Sequence, residues 1–377
     1  MYALNPIQQN PICVFPVFNS NLQEKSKLVF KLEKLVRENI KNVKPYASAR
    51  DEYKGKEGVF LDANENPIGS VTAESYNRYP DPLQKKLKIQ IANLKRVADN
   101  QIFLGNGSDE AIDLVYRIFC NPGIDNVIVT PPTYGMYEVS AGINDVQVKS
   151  VPLTAEFQLQ PDKVLAAIDA NTKIIFLCSP NNPTGNCLRI SDIETILKGF
   201  SGIVFIDEAY IDFAPDKSFL QKLGDNQNLI VCQTFSKAWG MAAIRLGMAF
   251  ASEPIIALFN KIKPPYNVNG VTQSLALEAL KHLLEKERMV EEILDEREKL
   301  VQNLKDIPSV LKVYPSDANF ILVKTKNGNL IYEELIQRKV ITRNRSNVTL
   351  CEESIRISIG TAEENKILVE AFKNITV

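Results

Sequence analysis
The chain has 377 residues, 45% of them hydrophobic, enough for one large unit and a smaller one, each with its own core. Lysine and arginine number 44 against 45 acidic residues, a formal net charge of -1, so no nucleic-acid or anionic-membrane face is indicated and any anion site must be local. The single histidine, His282, argues against histidine triads and histidine-rich metal sites, and six scattered cysteines without a CxxC pair fit a reduced, cytoplasmic protein with no metal centre.

Taken in chain order, residues 1–21 read as an irregular, flexible extension. Its apolar patch Ile12–Phe18 is too short to span a bilayer, and it has no basic region ahead of it. A charged amphipathic helix is expected over Leu22–Ile40, a loop over Pro45–Gly58, and a short strand in VFLDANENP. From Gln84 onward, helical stretches (Gln84–Val97, Ser108–Phe119) alternate with short apolar runs: Val127–Thr130, Val146–Val151, Ile174–Cys178, Ile203–Asp207, Leu229–Thr234 and Leu246–Ala251. Runs that are apolar on both faces and alternate with helices predict a mostly parallel sheet covered on both sides, an α/β fold with a three-layer α/β/α large domain. A long helix over Val271–Lys305, three strands (NFILVK, VITR, SIRISIG) and two further helices (Leu330–Arg338, Ala362–Lys373) then predict a smaller α+β domain. The expected division is extension 1–21, N-terminal segment with part of the small domain 22–72, large domain 73–270 and small domain 271–377.

Ligands of parallel sheets bind beyond the carboxyl ends of the strands, and four segments fall there. Ile203–Tyr210 ends a buried strand in Asp207, an acid that is costly to bury without a cation or a metal; a helix cap is the plainer reading. Thr234-Phe-Ser236-Lys237 ends the next strand, with Arg245 shortly after. A lysine there can lose basicity by desolvation and so attack a carbonyl, although most lysines are simply surface residues. Ser179–Gly185 is a stiff turn that can present the Asn182 amide, or an ordinary loop. Gly105–Glu110 leads into a helix whose N-terminal amides can meet a phosphate, with Asp109 as a plain cap in the simpler reading.

The order SPNNPTG, DEAY, then SK followed by Arg resembles the fold-type-I, pyridoxal-phosphate-dependent aminotransferases, from about Lys44 to Val377. That resemblance implies that Lys237 holds the cofactor, that Asp207 pairs with its ring nitrogen, and that Tyr210 and Asn182 contact its 3-oxygen. It further implies that Ser108, Asp109, Thr234, Ser236 and Arg245 surround its phosphate and that Tyr134 stacks on its ring. Lys237, Asp207 and Tyr210 are then the catalytic residues.

Finer matches (Lys44-Pro-Tyr46, Leu61–Pro67, Arg78–Asp81, Pro131–Tyr137, Arg356–Thr361) resemble the histidinol-phosphate aminotransferase family. The implied reaction interconverts histidinol phosphate plus 2-oxoglutarate with imidazole acetol phosphate plus glutamate, a step of histidine biosynthesis. Arg343 and Arg356 match substrate arginines of that family, whereas Arg345 reads equally as solvated. Tyr46, Asn64, Tyr137 and Tyr266 are further substrate-pocket candidates, with packing the alternative for the tyrosines. Tyr79 and Tyr46 match residues that cross to a neighbouring subunit, which implies a homodimer. Departures from the family pattern at Trp239, Ala243 and Ile244 alter packing and remove no reactive group. An aromatic amino acid aminotransferase or a threonine-phosphate-type decarboxylase would keep the same four central residues, Lys237, Asp207, Tyr210 and Asn182. A sensor domain of a transcription regulator would need a basic DNA-binding module, which the first 40 residues do not resemble.

Overall fold
The computed structural model describes residues 30–46 and 58–376. The expected extension 1–21, the first part of the helix expected at Leu22–Ile40 and most of the loop expected at Pro45–Gly58 lie outside them.

The larger sheet has seven strands: β1 (Ile102–Asn106), β2 (Asn126–Val129), β3 (Gln147–Ser150), β4 (Thr172–Cys178), β5 (Ile203–Asp207), β6 (Leu229–Thr234) and β7 (Leu246–Phe250). Their order is β1-β7-β6-β5-β4-β2-β3, and only β7 runs antiparallel to its neighbours. Successive side chains on the central strands enter two different cores, as a period of two requires. Val204 and Ile206 of β5 join Ile175, Leu177 and Val231 on one face. Ile203 and Phe205 join Ile174, Phe176 and Ile230 on the other. Each such side chain contributes about 1.5–3 kcal/mol by leaving water, which is why these strands carry no polar residue until their ends.

This topology collects five chain segments at one edge. The carboxyl ends of β1, β2, β4, β5 and β6 all point there, and the β6–β7 connection turns back across it. β1 was absent from the expected strands because IFLGN contains glycine and asparagine, poor strand formers; pairing with β7 on its open side overrides that preference.

Four expectations fail. No strand forms in VFLDANENP: residues 58–84 run as bends and turns, because Asn66 Oδ1 accepts from the Ile68 amide and Asn64 adopts a left-handed φ of 54°. The helix expected up to Ile40 is two short ones, Leu32–Leu35 and Glu38–Asn42. Between them the Arg37 amide donates to Ile118 O and its Nη1 to Arg117 O, drawing the chain out of helical geometry. Val36 and Ile40 pack into the core of the large sheet rather than into the small unit. The helix expected over Val271–Lys305 divides into Gly270–Ala279 and Leu283–Lys305, where tighter i→i−3 bonds at Lys281 and His282 end the first helix.

The smaller sheet is antiparallel: β8 (Val310–Val313), β9 (Phe320–Thr325), β10 (Arg343–Asn344) and β11 (Ser354–Ser358), in the order β10-β11-β9-β8. One face packs on the helices Leu283–Lys305, Gly328–Gln337 and Ala362–Lys373 through Leu304, Ile331 and Phe372 against Ile321, Val323, Ile355 and Ile357. Alternation then turns Arg356 to the opposite face, toward the large sheet. The two units are fastened at Asp317. Its Oδ2 accepts from the Cys187 amide at 2.7 Å, its Oδ1 from Lys217 at 2.9 Å, and its own amide donates to Gly185 O at 2.7 Å. Gly185 is required there: its φ is +86°, and a Cβ would lie 2.5 Å from Ser316 Oγ.

Candidate active site
A cavity of about 900 Å³ opens at the edge where the strand ends converge, walled on its far side by the small sheet. Ser108, Asp109, Tyr134, Asn182, Asp207, Tyr210 line it together. So do Thr234, Ser236, Lys237, Arg245, Arg343 and Arg356.

Asp207 is the last residue of β5 and is buried. Its Oδ1 accepts from the Ala209 amide at 3.0 Å and its Oδ2 from the Tyr137 hydroxyl at 2.8 Å. Burial pushes its carboxyl up to about 6, and the Tyr137 hydrogen bond opposes that rise. Lys237 follows β6 on the turn toward β7. Its ammonium sits 5.3 Å from the centre of the Tyr210 ring, with no carboxylate at ion-pair distance among the described residues. Burial lowers its pKa, and the nearby Arg356 lowers it further. Such an amine is closer to its neutral, nucleophilic form than a surface lysine. Burial raises the Tyr210 hydroxyl, while Arg356 opposes the shift.

The other end of the cavity is built for an anion. The helix Ser108–Phe119 starts there, so its free amides and dipole face the space. Thr234 Oγ1 donates to Ser236 Oγ at 3.0 Å, and Arg245 stands beside Gly107. Gly107 has φ +74°, and a Cβ on it would lie 2.4 Å from Arg245 Nη2; only glycine lets the guanidinium approach the helix start. Asp109, an awkward neighbour for an anion in the sequence reading, has other partners: its Oδ2 meets Arg245 Nη2 at 3.4 Å and its Oδ1 accepts from the Tyr134 hydroxyl at 3.1 Å. It aims two other residues of the site.

Several expectations are corrected. Tyr137 does not wall a substrate pocket: it is 0% exposed, its ring stacks on Phe176 at 4.8 Å, and its hydroxyl is spent on Asp207. Sequence reasoning missed this role because a tyrosine three positions after Tyr134 gives no sign of which face it buries. Asn64 and Tyr266 are not among the residues lining the cavity; Tyr46 and Tyr79, expected to reach a neighbouring subunit, do not line it either. Tyr46 and Tyr79 are 74% and 53% exposed, Tyr79 stacks on Tyr266 at 4.4 Å, and Asn64 and Tyr79 border a separate groove. Asn64 and Tyr79 lie on the outer segment 58–80, which no strand ties into the sheet, and Tyr266 lies beside it. Arg345, left open by sequence, does line the cavity. Trp239 is buried against Phe235 at 5.1 Å, a packing change only.

The chain matches the model of the family "aminotransferase class I and II" over residues 52–372, and it belongs to that family. It is 56% identical over 346 residues to the histidinol-phosphate aminotransferase of Cytophaga hutchinsonii, covering 92% of this chain and 99% of that protein. It is 55% identical over 343 residues to that of Parabacteroides distasonis, covering 91% and 98%. Among solved structures it is similar to the histidinol-phosphate aminotransferase from Clostridium acetobutylicum, with TM-score 0.74, 25% identity and 79% of this chain on 90% of that one. The fold is shared too with the Sinorhizobium meliloti enzyme in complex with pyridoxal-5'-phosphate, with TM-score 0.74, 22% identity and 82% on 88%. Pyridoxal phosphate is the cofactor of this class, and the chain is a transferase of amino groups.

Proposed function
We infer that the chain is a transaminase interconverting histidinol phosphate and 2-oxoglutarate with imidazole acetol phosphate and glutamate, in L-histidine biosynthesis. The observation that carries this reading is one cavity that joins a desolvated lysine, a buried carboxylate and, opposite them, arginines with no acidic partner among the described residues. The curated relatives of the same name, at 52–56% identity, favour it over the aromatic transaminase and the phosphothreonine-type decarboxylase.

The residues present fit pyridoxal phosphate. The glycine-cleared space at Gly107, the helix start, Ser108, Thr234, Ser236 and Arg245 suit its phosphate dianion. Asp207 offers a carboxylate to its ring nitrogen, Asn182 and Tyr210 offer hydrogen bonds to its 3-oxygen, and Tyr134 offers a flat face. When bound, the cofactor supplies an electron sink for the carbanion of the donor. Lys237 Nζ holds it and later takes the proton from the amine-bearing carbon of the donor, for which lowered basicity suits it. Buried Asp207 keeps a ring nitrogen protonated, which its own negative charge favours. Arg343 and Arg356 bind the anionic ends of both substrates. One lysine thus serves as both nucleophile and base, consistent with a single histidine that lies on a helix end away from the cavity.

The active unit is a twofold dimer. Val59, Leu61, Ile68, Val71, Tyr76 and Tyr79 are large apolar side chains exposed along one segment of the described chain. A second copy covers it and receives Tyr46 and Tyr79 beside its own cavity. The compartment is the cytoplasm, where the five buried cysteines among the described residues stay free thiols.

The test is the visible absorption band of the purified protein with pyridoxal phosphate. Histidinol phosphate bleaches it and 2-oxoglutarate restores it. Carbon dioxide release without a keto product would instead place the chain among the decarboxylases.

A further inference from the structure
We propose that Arg345 is a specificity residue of this site, a third guanidinium that makes it prefer a phosphate dianion to a carboxylate. The assignment rests on the reading of the substrate as histidinol phosphate. The register of the small sheet sets Arg343 opposite Arg356, and the Arg345 amide continues the ladder to Ser354 O at 2.9 Å. The period of two therefore puts Arg343 and Arg345 on one face, and all three guanidiniums line the same cavity.

None of the three has a carboxylate at ion-pair distance among the described residues. Arg356 is steadied by Asn182 Oδ1 at 2.6 Å and by the Phe320 ring at 5.3 Å. Arg345 has no such support: its Nε is buried and finds no hydrogen-bond partner. Burial, together with Arg356 and Arg343, lowers its pKa below the usual arginine value. Three cations held together without a counter-charge are costly unless a polyanion joins them.

The two amino donors differ at this point. Glutamate carries a carboxylate directly on its amine-bearing carbon, and a single arginine fork matches that monoanion. Histidinol phosphate carries a CH₂–O–phosphate there instead. Its charge is a dianion lying two bonds further out, with three terminal oxygens to satisfy. Arg356, beside Asn182, serves the group nearest that carbon in either donor. The phosphate draws in the guanidinium of Arg345 as well, which lines the same cavity.

The experiment uses the full chain loaded with pyridoxal phosphate, the visible band serving as the check on folding and loading. Apparent Kd values for histidinol phosphate and for glutamate are read separately from bleaching of that band, in wild type, R345Q and R345K. R345Q is expected to weaken histidinol phosphate by roughly 10- to 100-fold, the worth of one charged hydrogen-bonding partner, and glutamate by less than about threefold. R345K recovers part of the loss, and inorganic phosphate competes less well in R345Q than in wild type. Equal weakening of both donors, or no change in either, overturns the assignment alone. A wild type that ignores histidinol phosphate overturns the substrate reading and this assignment with it.

Discussion
Replacing Tyr137 by Phe removes one of the two hydrogen bonds to Asp207 while leaving the ring stacked on Phe176. Both groups are buried, and Phe offers no donor in place of the hydroxyl. A hydrogen bond to a charged group is worth about 1.5–3 kcal/mol, or roughly one to two pH units at 1.36 kcal/mol each. Burial already pushes the Asp207 carboxyl up to about 6 against the pull of the Tyr137 hydrogen bond; without Tyr137 it rises further. Below that pKa the carboxyl is neutral and loses its attraction for a protonated ring nitrogen. Cofactor affinity therefore falls on the acid side of the Asp207 titration in the cofactor-free protein. The assay is a spectral titration of the apoprotein with pyridoxal phosphate from pH 5 to 9. In Tyr137→Phe the acid limb is expected about one to two units higher than in wild type, with an alkaline plateau close to wild type. An acid limb that stays in place, or moves down, refutes the reasoning.

Further outcomes follow from the same geometry. In the cofactor-free protein the Asp207 carboxyl has a raised pKa, about 6 folded against 3.8 in the unfolded chain. The folded state holds the proton longer, so this group costs nothing below pH 4 and destabilises the fold by about 3 kcal/mol as pH rises through 6. The Tm of apo Asp207→Asn should gain on wild type between pH 4 and 7; a constant difference would contradict this. Lys237→Ala should lose the visible band of bound cofactor and at least about 10²–10⁴ in rate from the missing proton carrier alone, with the Tm of the apoprotein little changed. Gly107→Ala should displace Arg245 and weaken cofactor binding, and its φ of +74° should cost the fold about 1–3 kcal/mol; unchanged affinity would remove Gly107 from the phosphate cradle. Sedimentation should give a dimer, and Leu61→Asp with Ile68→Asp should shift it toward monomer.

The chemistry was legible in the chain because it is written in short contiguous segments at strand ends. Ile203–Asp207 is apolar on both faces and then abruptly acidic, and Thr234–Lys237 follows the next such run, so strand, edge and reactive group could be read together. Glycines at 105 and 107 before a helix likewise pointed to an anion. Boundaries held where local signals were strong, as at Ala362–Lys373, capped by Thr361 with Glu364 reaching back.

Other features depended on partners remote in sequence. Strand β1 exists because β7 returns beside it, and the helix expected to reach Ile40 breaks because Arg37 bonds to the end of another helix. Tyr137 and Tyr134 are both tyrosines of one short motif, yet one is sealed beneath Asp207 and the other lines the cavity. Arg345 could not be told from a solvated arginine until β10 paired with β11 and set it on the face of Arg356. The sequence by itself determined which groups are available and where strands must end, since hydrophobic period and turn chemistry are local. Only the tertiary structure decided which of those groups share one cavity and which are buried as supports, because burial and charge proximity are set by elements far apart in the chain, 70 residues for Tyr137 and Asp207 and 174 for Asn182 and Arg356.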